Sequence, residues 1–223
     1  MSTTHESTLT VAVLGAGVVG RTLATGWARA GHHVVLGSRD PASNRTRDAV
    51  AEIAGTSGGQ VSANGHADAA AAADAVVVTV PGDQVPWLIA QLGSALAGRI
   101  VVDATNHVAP GAAAMNAVAA LGEAGAAVYR AFNTVGWEQM QQPVFGQIRS
   151  DMPYAGAADG KNGPIVERLI ADIGFRPIRL GDDDRALEAV DALARLWFLL
   201  AFGQGYGRRL GLRFLTQDDD APQ

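Results

Sequence analysis

The sequence contains no cysteine. This absence excludes a disulfide framework, thiol catalysis, iron–sulfur clusters and zinc sites built on cysteine. The five histidines are scattered along the chain and show no H-E-x-x-H or comparable spacing, so no metal site is predicted. The nucleophile elbow G-x-S-x-G is missing as well, and hydrolase chemistry therefore has no visible machinery.

Charge and long apolar runs are also scarce. Charged residues make up 17% of the chain and the formal net charge is -5, which gives no basic footprint for nucleic acid. The opening MSTTHESTLT lacks the basic and apolar regions of a signal peptide, so we expect a cytoplasmic protein. The most apolar late segment, residues 193–202, includes Arg195 and is shorter than the roughly 18 apolar residues of a membrane span. We therefore expect no membrane partner.

What the chain has instead is a regular alternation of apolar runs and helical patterns. This alternation is typical of βαβ units around a mainly parallel sheet. Strands are predicted at residues 9–15, 33–38, 60–63, 75–80, 99–106 and 126–133. Helices are predicted between them, among them residues 67–73 and 83–96. A further helix at residues 41–54 is predicted to have Asp40 as its N-cap and Pro41 at its first position.

Beyond residue 133 the pattern changes. The predicted elements are a short helix at residues 135–140, a strand at 152–156, a helix at 163–174, a strand at 176–181 and an apolar helix at 184–202. We therefore predict an α/β fold, with a Rossmann doubly wound, mainly parallel sheet in residues 1–130. A smaller C-terminal α/β domain, residues 131–216, ends in the apolar helix. The acidic tail, residues 217–223, is predicted to be disordered.

The strongest motif is GAGVVG, which lies between the first strand and the first helix. Its spacing is that of the dinucleotide-binding G-x-G-x-x-G, in which successive glycines allow a tight turn, a close pyrophosphate and close helix packing. The pyrophosphate is expected at the helix N-terminus. The predicted cofactor-binding residues of this loop are Gly15, Ala16, Gly17, Val18, Val19 and Gly20. The alternative, glycines that serve only a packed turn, is disfavoured by the strand and helix on either side.

The end of the second strand carries the sequence GSRDP. A carboxylate that binds the adenine-ribose 2′-hydroxyl is expected at this point in NAD-binding chains. Ser38 and Arg39 stand there instead, and an arginine fork beside a hydroxyl suits a phosphate. This pattern favours NADP over NAD. Asp40 is a rival ribose ligand, but its position before Pro41 also explains it as a helix cap.

Other candidates follow from the strand ends, because ligands of such sheets bind at the carboxyl ends of the strands. These candidates are Val80 and Pro81 at the end of the fourth strand, Thr105, Asn106 and His107 at the end of the fifth, and Asn133 and Thr134 at the end of the sixth. Each could orient a nicotinamide or a substrate, and each is equally well explained as a turn residue. A lone loop histidine such as His107 is more often a surface residue, so no catalytic side chain is predicted.

The chain resembles the coenzyme F420-dependent NADP oxidoreductases. The resemblance is carried by VAVLGAGVVGRTLATGWARAGHHVVLGSRDP, VVVTVP, IVVDATN, RAFNTVG and LGLRFL, and it spans nearly the whole chain. It implies that Ser38 and Arg39 bind the 2′-phosphate of NADP and that the nicotinamide lies near residues 132–136, which include Gly136. It also implies direct hydride transfer to a deazaflavin bound between two domains, which needs no acid–base pair.

Several alternatives remain open at this stage. A flavin or another small acceptor could replace the deazaflavin, and a non-catalytic NADP(H)-binding sensor or partner-binding protein is the second hypothesis. A β-hydroxyacid dehydrogenase is disfavoured because Lys161 is the only lysine and the chain is too short for the long helical domain of those enzymes. Trp197, Phe198 and Phe202 could stack on a flat ring or fill an interface, and we expect a homodimer.

Overall fold

The computed structural model describes residues 7–107, 116–158 and 160–217. The strands of its main sheet are β1 (Thr10–Leu14), β2 (His33–Ser38), β3 (Val61–Gly65), β4 (Ala75–Val78), β5 (Ile100–Asp103), β6 (Ala127–Arg130), β9 (Asp151–Ala155) and β10 (Arg176–Gly181). The helices are α1 (Val18–Arg29), α2 (Asn44–Ser57), α3 (His66–Ala72), α4 (Val85–Leu92), α5 (Val118–Glu123), α6 (Trp137–Gln141), α7 (Asn162–Ile173) and α8 (Asp184–Phe198). A short hairpin, which the sequence did not predict, is formed by β7 (Val144–Phe145) and β8 (Ile148–Arg149).

The main sheet has the strand order β10-β9-β6-β5-β4-β1-β2-β3. The run from β3 to β6 is parallel throughout, β9 joins β6 in antiparallel pairing, and β10 is parallel to β9. This arrangement confirms the predicted α/β class with a doubly wound, mainly parallel sheet. The strand order reverses at β1 and β4, which is where dinucleotides bind in such folds.

The core is continuous between the first two thirds of the chain and the last third. Trp27 of α1 is fully buried, and its Nε1 donates to the carbonyl of Leu169 in α7 at 2.9 Å. Its ring also meets Phe132 edge to face, with the centroids 5.8 Å apart. The last third therefore packs directly on the first helix, while the division into domains at residue 130 stays a prediction.

The predicted start of α2 is wrong. The helix begins at Asn44, and its N-cap is Ser43, whose Oγ accepts from the Thr46 amide at 3.3 Å. Asp40 instead closes a turn before the helix, because its Oδ1 accepts from the Ala42 amide at 3.1 Å. Its carbonyl also accepts from the Thr46 hydroxyl at 2.9 Å. Asp40 and Pro41 thus belong to a connecting turn and not to the helix.

Other boundaries differ by a turn or less. The segment predicted as one helix at residues 83–96 is α4 between two 3₁₀ turns, Gly82–Gln84 and Gly93–Leu96. The last helix ends at Phe198 and continues as a single π-helical turn, Leu199–Gly203. Most of the tail predicted to be disordered, residues 218–223, lies outside the described residues. Among those that are described, no helix has the length and apolar character needed to cross a bilayer.

Candidate functional site

The glycine loop between β1 and α1 is shaped by contacts with the end of β4. Gly15 has a φ of +125°, and a Cβ at this position would lie 2.7 Å from the Thr79 Oγ1. The Thr79 hydroxyl donates to the Gly15 carbonyl at 2.9 Å. A Cβ on Gly20 would collide with that same carbonyl. Both glycines are therefore required by packing, as the fingerprint predicts.

Gly17 has a different role. A Cβ at Gly17 would meet no atom within 4 Å, so packing does not demand glycine here. Gly17 is the N-cap of α1, no side chain caps the helix, and no acidic residue occupies its first turn. The first amide groups of α1 therefore present a positive helix end that suits an anion such as a pyrophosphate.

A cavity of about 640 Å³ extends from this loop along the ends of β2 and β4. Seven of the predicted cofactor residues line it: Gly15, Ala16, Gly17, Ser38, Arg39, Val80 and Pro81. The remaining lining residues include Thr46, His66, Thr79 and Trp87, which the sequence did not single out. Val19 instead packs on the core and Gly20 is buried beneath the loop. The exposed Val18 lines a separate cavity beside α1.

The β2 end of the cavity is built around Ser38 and Arg39. The Ser38 Oγ shares a hydrogen bond of 2.9 Å with the buried Thr46 Oγ1, which fixes the serine hydroxyl against α2. Arg39 is exposed, and its guanidinium carbon lies 5.8 Å from the centroid of the Trp87 ring. This distance is within cation–π range, so Trp87 holds the arginine at the cavity mouth.

His66 completes this end of the cavity. Its ring meets Trp87 edge to face, with the centroids 5.9 Å apart. Burial, and secondly the positive charge of Arg39, lower the pKa of His66 below its ordinary value. Only the position of His66, shortly after the strand predicted at residues 60–63, could have pointed to it.

A second group of predicted residues lies at the ends of β5 and β6. The Asn106 Nδ2 donates to the carbonyl of Asn133 at 3.3 Å, so these two predicted residues are brought together. The Oδ1 of Asn133 is buried and has no hydrogen-bond partner among the described residues. Thr134 is buried and its hydroxyl points to the Met152 sulfur at 3.7 Å. In this group the Asn133 Oδ1 is therefore the polar side-chain atom that has no partner among the described residues.

Three buried charges that the sequence analysis missed support this pair. Arg130 is fully buried between Asp103 and Asp191, with nitrogen–oxygen distances of 3.2 Å and 3.1 Å. Its guanidinium also donates to the Thr105 carbonyl and to the Asn106 Oδ1. These residues come from β5, β6 and α8, and the spacing between them in the sequence gives no signal of their contact.

The other predicted residues are covered or lie elsewhere. A Cβ on Gly136 would lie 2.7 Å from the Arg208 carbonyl oxygen, which shows that the C-terminal segment covers this glycine. His107 packs against Gly82, in the 3₁₀ turn before α4. Trp137 lines the separate cavity along the outer side of α1. Within the described part of the chain, no group of three or more histidine, aspartate or glutamate residues could hold a metal ion.

Known proteins resemble this chain in sequence. The family described as NADP oxidoreductase, coenzyme F420-dependent, matches residues 10–107. The F420-dependent NADP reductase of Methanothermobacter thermautotrophicus is 33% identical, over 82% of this chain and 86% of that protein.

Two solved structures extend the likeness to the fold. A candidate F420-dependent NADP reductase from Arthrobacter sp. FB24 superposes with a TM-score of 0.75 at 25% identity, covering 93% of this chain and all of that one. A reductive aminase from Aspergillus terreus, in complex with NADPH and ethyl levulinate, shares the fold with a TM-score of 0.61 at 20% identity, over 87% of this chain and 63% of that one. On its sequence identity and coverage with the curated reductase, the chain belongs to the family of F420-dependent NADP reductases, which are NADP-dependent oxidoreductases.

Proposed function

We propose that this protein transfers a hydride between NADP(H) and a deazaflavin, coenzyme F420, or a flavin-like acceptor. The observation that carries the proposal is the cavity that joins the glycine loop to Ser38 and Arg39. It combines an uncapped helix N-terminus with an arginine at the end of β2, and these two features suit the pyrophosphate and the 2′-phosphate of one NADP(H) molecule.

The fit of NADP(H) rests on the shape of the loop. The space above Gly17 is open, whereas Gly15 and Gly20 are packed against their neighbours. This is the distribution expected when the backbone must approach a pyrophosphate at one glycine only. We therefore assign pyrophosphate contacts to the loop and 2′-phosphate contacts to Ser38 and Arg39.

The nicotinamide is assigned to the ends of β4, β5 and β6. Val80 and Pro81 offer an apolar wall of the cavity, and the Asn133 Oδ1 is the acceptor that we propose for the carboxamide. The cofactor supplies the redox chemistry, because the nicotinamide ring carries the hydride and the acceptor ring receives it. The protein is then required to position two rings and to keep water out.

Two further features belong to the proposal. We propose a cytoplasmic homodimer, with α8 and the turn after it at the interface. Leu196, Leu199 and Phe202 are 45%, 56% and 57% exposed, so this end of the helix presents several large apolar side chains to solvent. An apolar surface of this kind on a small protein is typical of an association site.

The decisive test is anaerobic mixing of the protein with NADPH and oxidised coenzyme F420, FMN or FAD, followed by absorbance at the cofactor bands. We expect oxidation of NADPH and reduction of the deazaflavin in equal amounts, with the reverse reaction from reduced deazaflavin and NADP. Turnover only with a flavin would identify a flavin and not a deazaflavin as the acceptor, and the reaction would still be hydride transfer. NADPH binding with no turnover for any acceptor would refute the enzyme and favour a sensor.

A further inference from the structure

His66 occupies a defined position beside the proposed 2′-phosphate site. Strand β3 pairs with β2 so that Ser38 lies opposite Gly65, and His66 is the next residue. The histidine therefore begins α3 at the same level of the sheet at which Ser38 and Arg39 leave β2. All three side chains line one cavity.

The packing around the ring depends on a missing side chain. A Cβ on Gly37 would lie 3.0 Å from the His66 Nδ1 and would also collide with Leu14. The absence of a side chain at Gly37 lets the imidazole lie against the end of β2. The Nδ1 is buried there without a hydrogen-bond partner among the described residues, and Trp87 covers the ring from α4.

Charges of both signs surround this histidine. The same cavity is lined by Arg39 and Asp40 from the β2 turn, Arg21 from α1, Arg45 from α2 and Asp83 from the turn before α4. Asp68 lies on its own helix, close to Gly65. The pKa of His66 is lowered, first by burial and then by Arg39, so the carboxylates nearby do not raise it above its ordinary value. The imidazole is therefore neutral near pH 7 while no anion is present.

We propose that His66 is a specificity residue for NADP(H), which binds one proton when the 2′-phosphate enters beside Arg39. This inference rests on the proposed NADP(H) function. A phosphate carries a charge of about −1.5 to −2 near pH 7. Placed between Arg39 and His66, it offsets the arginine charge that disfavours the imidazolium and adds an attraction that favours it. The protonated ring then donates a charge-assisted hydrogen bond to the phosphate.

The sign of the resulting pH dependence follows from this order of events. Below the pKa of free His66, which lies under 6.5, the ring is protonated with or without ligand, and its contribution to affinity is constant. Between that pKa and the higher pKa of the complex, binding takes up a proton, so affinity falls as pH rises. The limiting slope is about tenfold in Kd per pH unit for one linked proton.

The test is isothermal titration of the full-length protein with NADPH and with NADH at pH 7, in two buffers of different ionisation enthalpy. Proton uptake is obtained from the difference in heat between the buffers. We expect uptake approaching one proton for wild type with NADPH and none for wild type with NADH. His66→Gln is expected to lose this uptake and to bind NADPH several-fold more weakly, while its NADH affinity stays within about twofold.

Two controls keep the result interpretable. His33→Gln removes a histidine of β2 that lies outside the cavity, where it contacts Ser62 at 3.3 Å, and it should behave as wild type. His66→Phe keeps the ring contact with Trp87 but cannot titrate, so it must also lose the uptake. A proton released by the 2′-phosphate itself would be seen equally in all variants. Equal proton uptake in wild type, His66→Gln and His66→Phe would overturn the proposed role of His66 but not the proposed binding of NADP(H). Failure of wild type to bind NADPH would refute the proposed function and the inference with it.

Discussion

Replacement of Arg39 by alanine is the sharpest test of the proposed preference of the cavity for NADP(H) over NAD(H). The guanidinium is exposed at the cavity mouth and lies 5.8 Å from the centre of the Trp87 ring. If Arg39 binds the 2′-phosphate, the variant loses a charge-assisted interaction that NADH never makes. The prediction therefore concerns the difference between two cofactors and not the absolute affinity of either.

The magnitude follows from two separate contacts. A hydrogen bond to a charged group contributes about 1.5–3 kcal/mol, and the exposure of Arg39 places it near the lower end, at about 1.5–2 kcal/mol. Since about 1.4 kcal/mol is tenfold in Kd, loss of this hydrogen bond should weaken the binding of NADPH roughly 10- to 30-fold. The Trp87 contact, worth about 0.5–1 kcal/mol, is made without cofactor as well, so its loss should affect stability and leave the NADH affinity nearly unchanged.

The assay is a titration of NADPH and NADH by nucleotide fluorescence for wild type, Arg39→Ala and Arg39→Lys. Lysine keeps the charge but not the planar fork, so it should recover only part of the loss. Arg47→Ala is the matched control, because Arg47 pairs with Asn44 at 2.5 Å and does not line the cavity. If Arg39→Ala weakens NADPH and NADH by the same factor, Arg39 is a structural support of the cavity and not a phosphate ligand.

Two other predictions concern the loop and the core. Gly17→Ala should leave the thermal unfolding temperature unchanged, because its Cβ meets no atom within 4 Å. The same variant should weaken the binding of NADPH at least tenfold, because the new methyl group fills space above the loop. Gly15→Ala should lower that temperature by several degrees, since its φ of +125° and its contact with Thr79 exclude a side chain. Equal melting temperatures for the two variants would contradict this division of roles. Tyr154 donates to Glu167 at 2.6 Å, and burial, with this bond, raises the pKa of the phenol well above its ordinary value of 10.0. The folded state then keeps a proton that the unfolded state loses, so stability is retained below pH 10 and falls above it. Urea unfolding from pH 8 to 11 should show a smaller fall for Tyr154→Phe, and parallel curves would exclude this titration as a cause.

The parts of the site that the sequence predicted are those built from neighbours along the chain. The glycine loop and the Ser38–Arg39 pair each lie within one strand-to-helix connection, so spacing alone indicates their chemistry. His66 and Trp87 reach the same cavity from the start of α3 and from α4, which are brought to it by the strand order of the sheet. No local pattern encodes that order, and both residues were therefore missed.

The start of α2 shows a different kind of limit. Asp40 was predicted as the N-cap because Pro41 follows it, although Ser43 belongs to an equally suitable residue type. The structure selects Ser43, since Thr46 turns its hydroxyl to the Asp40 carbonyl and to Ser38. This contact holds residues 40–43 as a turn and leaves Ser38 fixed at the cavity. Asp40 therefore does not cap the helix, because the Thr46 side chain joins α2 to the end of β2.

The buried charges of Asp103, Arg130 and Asp191 connect α8, in the last third of the chain, to the ends of β5 and β6. Two carboxylates and one guanidinium leave a net negative charge, and backbone amides offset it: Asp103 accepts from the amides of Thr105 and Ala117, at 3.0 Å and 2.8 Å. Asp191 in α8 accepts from the Asn116 side chain at 2.6 Å. Withdrawal of α8 would leave Arg130 with one carboxylate in place of two, and breaking a buried pair costs about 3–5 kcal/mol. Arg130 also holds the Asn106 side chain and the Thr105 carbonyl, so the same penalty resists movement of the proposed nicotinamide site. The position of α8 and the geometry of the ends of β5 and β6 are thus coupled through one guanidinium.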